Sequence, residues 1–448
     1  MTELTAQTGA ALNRIIADRQ SKHRVPGIAA AVARSGGVVW SGGAGSADLG
    51  TGEPPGPDTQ FLVASISKTF TAVLIMALRD ASKLSLDDPL ETYVPESKHA
   101  GITLRQMLSH ISGMQREPVG DVWEQLKFPG VDELLAGWNE AERIGRPHDL
   151  WHYSNLAYSM LGEVVARVDG RSWTEALRAR ILDPLGMRRT TLGLTGTAAT
   201  GYYVPPFSDV PVAEPVVDIG AMAACGGLAS TTTDLATWTM FLAEGNDEVL
   251  AKDTLDEMCQ VQTIADPDRW TLGWGLGLML VRIGDRVYAG HTGGMPGHIT
   301  GMFVHRKSGT AGIALMNSTS APDPALLATD LIAQVLDNDP EPAEPWTAGT
   351  PVPDEFAGLL GTWFSEGQAF VFSVRKGVLE ARQDKAPEHK EPSVFERIDD
   401  DVYRTKGGRE PGEILRITRD ESGVPVKLNW ATYLFTREPY AFGEWLQK

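Results

Sequence analysis

The chain has 448 residues, more than the roughly 250 to 300 at which single hydrophobic cores stop growing, so two domains are the expectation. Its 40 basic residues against 58 acidic ones leave a formal charge of -18 with no Lys/Arg block, which argues against nucleic acid and anionic membrane as partners. Only Cys225 and Cys259 occur, without the Cys/His spacing of a metal site, and the longest apolar run, Ala72 to Leu78, is far short of a membrane span; a cytoplasmic chain with no metal, no cofactor and no membrane contact is predicted.

Residues Leu4 to Ser21 place Leu12, Ile15 and Ile16 at helical spacing, and Gly27 to Ala33 reads as a strand. A Gly36-Gly37 turn leads to a second strand, Val38 to Ser41, and the Gly- and Pro-rich stretch from Gly42 to Pro57 is loop. A helix beginning near Ser65 turns Phe70, Val73, Leu74, Ala77 and Leu78 inward. From Asp87 to Gly245 the pattern is mostly helical. Strands return at Leu276 to Arg282, Arg286 to Ala289, Gly301 to His305 and Thr310 to Met316, before a last helix, Ala325 to Leu336. The implied class is α+β over residues 1–336: an antiparallel sheet with flanking helices and a helical subdomain. Pro340, Pro342, Pro345, Pro351 and Pro353 mark residues 337–353 as a stiff linker. Beyond it, short alternating runs such as Ala369 to Val374 and Thr432 to Phe435 predict a small antiparallel β-barrel over residues 354–448.

Ser65 and Lys68 stand three residues apart at the head of the central helix, which puts a hydroxyl and an amine on one face. A serine must lose its proton to a neighbour as it attacks a carbonyl, and a desolvated Lys68 can receive it. The same spacing recurs at Ser373 and Lys376, but in a strand pattern, where positions three apart face opposite ways. Tyr153 and Asn155 form the only Y-x-N in the chain; a phenol beside an ammonium can shuttle protons, and an Asn amide can hold a substrate amide. In His291-Thr292-Gly293-Gly294 small residues on or just before a strand admit a substrate backbone, and the N–H of Gly294 would join that of Ser65 in an oxyanion hole. Lys307-Ser308-Gly309 reads as a hairpin turn, and His110, His152 and His298 as packed or hydrogen-bonded histidines.

In order and spacing these motifs resemble those of penicillin-recognising serine enzymes, particularly the class C β-lactamase-like peptidases, esterases and acyltransferases. Leu108 to Gly113 and Gly273-Trp274-Gly275 are similar to further stretches of that family, and the likeness covers roughly residues 8 to 336. The resemblance implies that Ser65 is acylated, that Lys68 is its proton partner, that Tyr153 is a general base and that Asn155 contacts the substrate amide. It also sets His291 where β-lactamases and transpeptidases usually carry Lys. An imidazole near its reference pKa of about 6.5 is largely neutral at pH 7, so β-lactam hydrolysis is expected to be weak or absent, and activity to rise through an acid limb near that value.

Gly361-Thr362-Trp363 resembles the G-x-W signature of lipocalins. With H-T-G and a lipocalin-like module, the chain is similar to penicillin-binding-protein-type thioesterases. That similarity implies release and head-to-tail cyclisation of a nonribosomal peptide at a D-residue, a peptidyl carrier protein as partner, and Arg437 as a grip on a substrate carboxylate or carbonyl. A D-stereospecific peptidase or carboxylesterase shares every catalytic residue and differs in letting water attack the acyl-enzyme. A noncatalytic sensor would keep the pocket and only bind peptide.

Overall fold

The computed structural model describes residues 4–34, 37–341, 345–349, 351–387 and 390–444. It divides into two compact units, residues 1–341 and 342–448. Gly36 of the expected turn, and residues 342–344 and 350 of the proline-rich stretch, lie outside the described residues.

The first unit is built on an eight-stranded antiparallel sheet. From one edge to the other its strands are Gly37–Gly45, Gly27–Arg34, Thr310–Met316, His298–His305, Arg286–Met295, Met279–Ile283, Leu272–Trp274 and Thr263–Ile264. Gly27–Arg34 and Thr310–Met316 are buried along their whole length. Because successive side chains on a strand point to opposite faces, Ile28, Ala30 and Val32 join one core with the helices Ala6–Lys22 and Pro324–Asn338. Ala29, Ala31 and Ala33 join the larger core on the other face, with the helices Ser67–Asp80, Asn155–Asp169 and Thr232–Glu244. Alanine at these positions lets helices pack against both faces of the sheet. Ser67–Asp80 is enclosed on nearly all sides, with polar Ser67, Lys68, Thr69 and Thr71 among its buried residues.

Two departures from the sequence reading bear on the site. Leu276 and Leu278 are fully buried without being in a strand, because the chain turns there at Gly277, whose φ is +83°. A Cβ on Gly277 would stand 2.2 Å from that of Ala72, so only glycine lets this turn seat its leucines against the buried helix. The helical stretch also contains short strands, Thr191–Leu192 and Leu228–Ser230, that join Phe61–Leu62 in a separate three-stranded sheet. This small sheet carries the segment leading into Ser65.

The second unit is an eight-stranded antiparallel meander from Gly361–Ser365 to Tyr433–Phe435, each strand pairing with the next. Phe364 and Thr436 bridge its first and last segments through paired backbone hydrogen bonds of 2.8 and 3.0 Å, so the barrel is nearly closed. Trp363, Phe370, Phe372, Phe395, Trp430 and Phe435 are buried in its interior. Arg437 lies 3.9 Å from the centroid of the Trp363 ring and donates to the carbonyls of Gly358, Leu360 and Thr362. Burial lowers its pKa from the ordinary guanidinium value. Its guanidinium thus joins the chain entering the barrel to the end of the last strand. Ser373 donates to Glu380 at 2.9 Å across neighbouring strands, as befits a sheet residue.

Candidate active site

Ser65 does not open the α-helix but sits in a single 3-10 turn, Ala64–Ile66, immediately before it. Ala64 enters this turn at φ +47°, a left-handed conformation that costs a non-glycine residue on the order of 1 to 2 kcal/mol. The surroundings hold it there. Val63 donates to Leu228 O at 2.9 Å, Ser67 Oγ accepts from Leu228 N at 3.1 Å, and Thr300 Oγ1 donates to Val63 O at 3.4 Å. A Cβ on Gly293 would lie 2.1 Å from Val63 O. This glycine of the His291–Gly294 run therefore serves the chain's own backbone, letting the strand pass beneath the Ser65 turn, whereas a Cβ on Gly294 would meet only Ile299 Cδ1, at 3.3 Å.

Lys68 is completely buried. Its Nζ lies 3.0 Å from Ser65 Oγ, 2.7 Å from Asn155 Oδ1 and 2.7 Å from the carbonyl oxygen of Cys225. A single amine thus meets three oxygens on three separate segments, enough to use every N–H of an ammonium. Cys225 takes part through its backbone; burial pushes its thiol pKa up, and both cysteines are free.

Asn155 is the first residue of its helix, capped by Ser154, whose Oγ accepts from Ala157 N at 3.0 Å. Its Nδ2 donates to Glu117 Oε1 at 2.5 Å. Glu117, absent from the sequence reading, also has Arg116 beside it at 3.7 Å. Tyr153 approaches Lys68 with its ring face, 4.8 Å from centroid to Nζ, and Arg116 lies 4.9 Å from the same centroid. Among the described residues the Tyr153 hydroxyl makes no hydrogen bond to Ser65 or Lys68. His110 stacks on Tyr153 at 4.2 Å, with Nδ1 accepting from Ser154 N at 3.0 Å; burial first, and then the Lys68 charge, hold its pKa well below the usual imidazole value. His298 is buried edge-on to Phe61. Both are packed histidines, as expected.

His291 is 1 % exposed, with Nδ1 2.5 Å from Thr292 O. A carbonyl can only accept, so Nδ1 carries the proton and Nε2 is the bare acceptor, buried without a hydrogen-bond partner among the described residues. Burial, assisted by the Lys68 charge, lowers its pKa to about 3. The expected acid limb near 6.5 is therefore corrected: His291 is neutral throughout the physiological range because charging it would strand a cation in the core. An unfolded histidine binds its proton below about 6.5, so stability from the neutral form is complete above that value. It is lost as pH falls toward the folded pKa, at about 1.4 kcal/mol per pH unit. His298, lowered by burial to about 4, acts in the same direction. The His291 imidazole resonances are expected to stay unchanged by NMR from pH 8 to pH 5; a titration midpoint between 6 and 7 would contradict the assignment.

Ser65, Tyr153, Asn155, His291 and Gly294 line one cavity of about 730 Å³. Trp123, Trp151, Trp274, Leu272 and Met279 supply apolar wall, and Arg116 and Glu117 add charge. Trp151 and Trp274 lie beside sequence matches to the motifs, but Arg116, Glu117 and Trp123 had no signal of their own. Among the described residues no group of His, Cys, Asp and Glu could hold a metal, and no helix is long and apolar enough to cross a membrane. A pocket that joins a serine, a buried lysine and apolar walls can form and shelter a covalent acyl ester.

A family profile described as Beta-lactamase matches residues 12–337, and one described as Domain of unknown function (DUF7586) matches residues 352–437. Penicillin-binding protein 4 of Amycolatopsis lactamdurans is 30% identical over 379 residues, covering 78% of this chain and 96% of that protein. The chain spans about half the length of several other curated relatives it matches. A solved D-stereospecific amidohydrolase from Streptomyces sp. superposes with a TM-score of 0.63 at 26% identity, covering 75% of this chain and 99% of that one. A structure of SurE with D-Leu superposes with a TM-score of 0.61 at 25% identity, covering 97% and 100%.

Proposed function

The chain belongs to the beta-lactamase and penicillin-binding-protein family of serine hydrolases, and from that premise we propose a Ser-Lys-Tyr acyl-enzyme that cleaves peptide-like amides or esters whose acyl residue has the D configuration. The observation that carries it is the Lys68 amine held 3.0 Å from Ser65 Oγ, with its other contacts on two carbonyl oxygens that can only accept. A neutral Lys68 donates to those two and aims its lone pair at the serine proton. As Ser65 Oγ bonds to the acyl carbon, its proton passes to Lys68 and the carbonyl electrons move onto oxygen, facing the N–H groups of Ser65 and Gly294. Collapse expels the amine or alcohol, which leaves with a proton relayed through Tyr153. Water then attacks the ester, its proton passing to Lys68, and as the bond from the acyl carbon to Ser65 Oγ breaks Lys68 returns that proton to Oγ, releasing the acid and free Ser65.

The D preference is supported by the amidohydrolase described as D-stereospecific and by the structure of SurE with D-Leu. A neutral His291 provides no third-motif cation for a carboxylate, which supports weak or absent β-lactam turnover. The up-and-down order of the barrel supports a lipocalin-like reading of the second unit. Hydrolysis is preferred to the cyclisation that the likeness to thioesterases implies, because the similar proteins include a D-stereospecific amidohydrolase and an esterase. The test offers D- and L-aminoacyl amides in parallel with a linear peptide thioester ending in a D-residue. Free acid from the D series alone is expected. Equal rates on both enantiomers would refute the stereochemical assignment, and a cyclic product would favour the cyclase.

A further inference from the structure

We propose that Glu117 is a positioning residue for Lys68, acting through the side-chain amide of Asn155. This rests on the reading above, in which Lys68 receives the Ser65 proton. The contacts form an unbroken line: Glu117 Oε1 accepts from Asn155 Nδ2 at 2.5 Å, Asn155 Oδ1 accepts from Lys68 Nζ at 2.7 Å, and Lys68 Nζ meets Ser65 Oγ at 3.0 Å.

The chemistry of an amide gives this line a direction. An Asn side chain can present either its oxygen or its NH₂ to a neighbour, and the two arrangements differ only by a half-turn. An ionised carboxylate can only accept, so Glu117 forces the NH₂ toward itself and the oxygen toward Lys68. With Asn155 Oδ1 and Cys225 O as fixed acceptors, a neutral Lys68 spends both N–H groups on them. Its lone pair is left for Ser65. In the flipped arrangement the Asn155 NH₂ would face the amine, two donors opposing each other. Lys68 could then relieve the conflict only by turning its lone pair to Asn155 and away from the nucleophile.

The backbone around Glu117 is built to hold it there. Arg116 O accepts from Asn155 N at 2.8 Å and from Leu156 N at 3.1 Å, and Gln115 O accepts from Ser154 Oγ at 2.8 Å. The segment bearing the carboxylate is thereby pinned to the first turn of the helix bearing the amide. Once the Ser65 proton has passed to it, the completely buried Lys68 is an ammonium with no carboxylate among its hydrogen-bond partners in the described residues, and Glu117 supplies the negative charge one amide away. Its Oε2 is buried with no hydrogen-bond partner among the described residues, and Arg116 Nε stands 3.7 Å from its Oε1.

The test uses the full chain and a fluorophosphonate probe, which reports attack by Ser65 without depending on a D-residue or an acyl acceptor. Glu117→Gln keeps the size but can turn either end to Asn155. It is expected to slow the maximal labelling rate about 10- to 100-fold, while the probe concentration giving half that rate stays within about twofold. Glu117→Asp, which keeps an acceptor-only group, is expected to recover part of the loss. In an Asn155→Ala background, Glu117→Gln is expected to change the rate by less than about twofold, because the intermediary is gone. Melting temperatures of all variants show whether each is folded, and the Asp variant carries the comparison if the Gln variant melts early. Unchanged labelling in Glu117→Gln, a Glu117→Asp rate no better than that of Glu117→Gln, or a Gln effect that multiplies fully onto Asn155→Ala, would overturn the proposal. Failure of the unaltered chain to label at Ser65 would instead overturn the acyl-enzyme reading beneath it.

Discussion

Replacing Ser65 with alanine is expected to abolish covalent labelling by a fluorophosphonate and to lower turnover by about 10⁴-fold or more, the scale on which loss of a nucleophile acts. Among the described residues the Ser65 side chain has one hydrogen bond, with Lys68, so its removal takes away the bond-forming atom and little else. Lys68 keeps Asn155 Oδ1 and Cys225 O, and Ala64 keeps its left-handed backbone, because that conformation is imposed by the hydrogen bonds of Val63 and the absent Cβ of Gly293. One hydrogen bond between neutral groups contributes about 0.5 to 1.5 kcal/mol, and alanine is a better helix former than serine. The melting temperature should therefore move by only a few degrees. Mass spectrometry of the labelled protein and a thermal melt check both halves. Labelling at the wild-type rate in Ser65→Ala would place the nucleophile elsewhere in the chain.

How far this site could be read beforehand depended on whether its parts are local. Ser65 and Lys68 are joined by one turn of chain, so their spacing alone predicts their contact. The choice between them and Ser373/Lys376 followed from helical against strand periodicity. The strands at Arg286 and Thr310, the last helix and the barrel were legible for the same reason, since alternation and helical spacing are short-range patterns. Other features arise only when distant segments meet. Glu117 becomes part of the site because its segment hydrogen-bonds to the start of the Asn155 helix. Cys225 contributes a carbonyl oxygen, and no side-chain pattern can announce a backbone atom. Gly293 was expected to make room for a substrate, yet its first duty is to clear Val63 O. The pKa expected of His291 failed on burial: a reference value assumes water, and the imidazole is 1 % exposed beside a buried lysine.

Lys68→Met should separate activity from stability more sharply than any other substitution here. Methionine nearly matches the length of the lysine stem and removes the amine, so Ser65 loses its proton acceptor while the packing around the helix is retained. Loss of a general base costs about 10² to 10⁴ in rate. The upper end is expected, because among the described residues no second base is hydrogen-bonded to Ser65: the Tyr153 hydroxyl has no such contact, and Lys68 meets the face of the Tyr153 ring. Two opposing terms decide stability. Asn155 Oδ1 and Cys225 O would each lose a donor, at about 1 to 3 kcal/mol apiece, whereas removing a completely buried amine relieves the cost, several kcal/mol, of taking out of water a group that is charged in the unfolded chain. These nearly cancel, and a change of less than about 2 kcal/mol is expected from urea unfolding. Lys68→Arg offers the complementary case. A guanidinium cannot be deprotonated in a protein, and its planar fork cannot point at three oxygens arranged around one nitrogen, so it should be as inactive as methionine and less stable. Labelling of Lys68→Met within tenfold of the unaltered chain would show that the Ser65 proton leaves by another route. A large loss of stability in the same variant would show that Lys68 holds the fold together as well as the reaction.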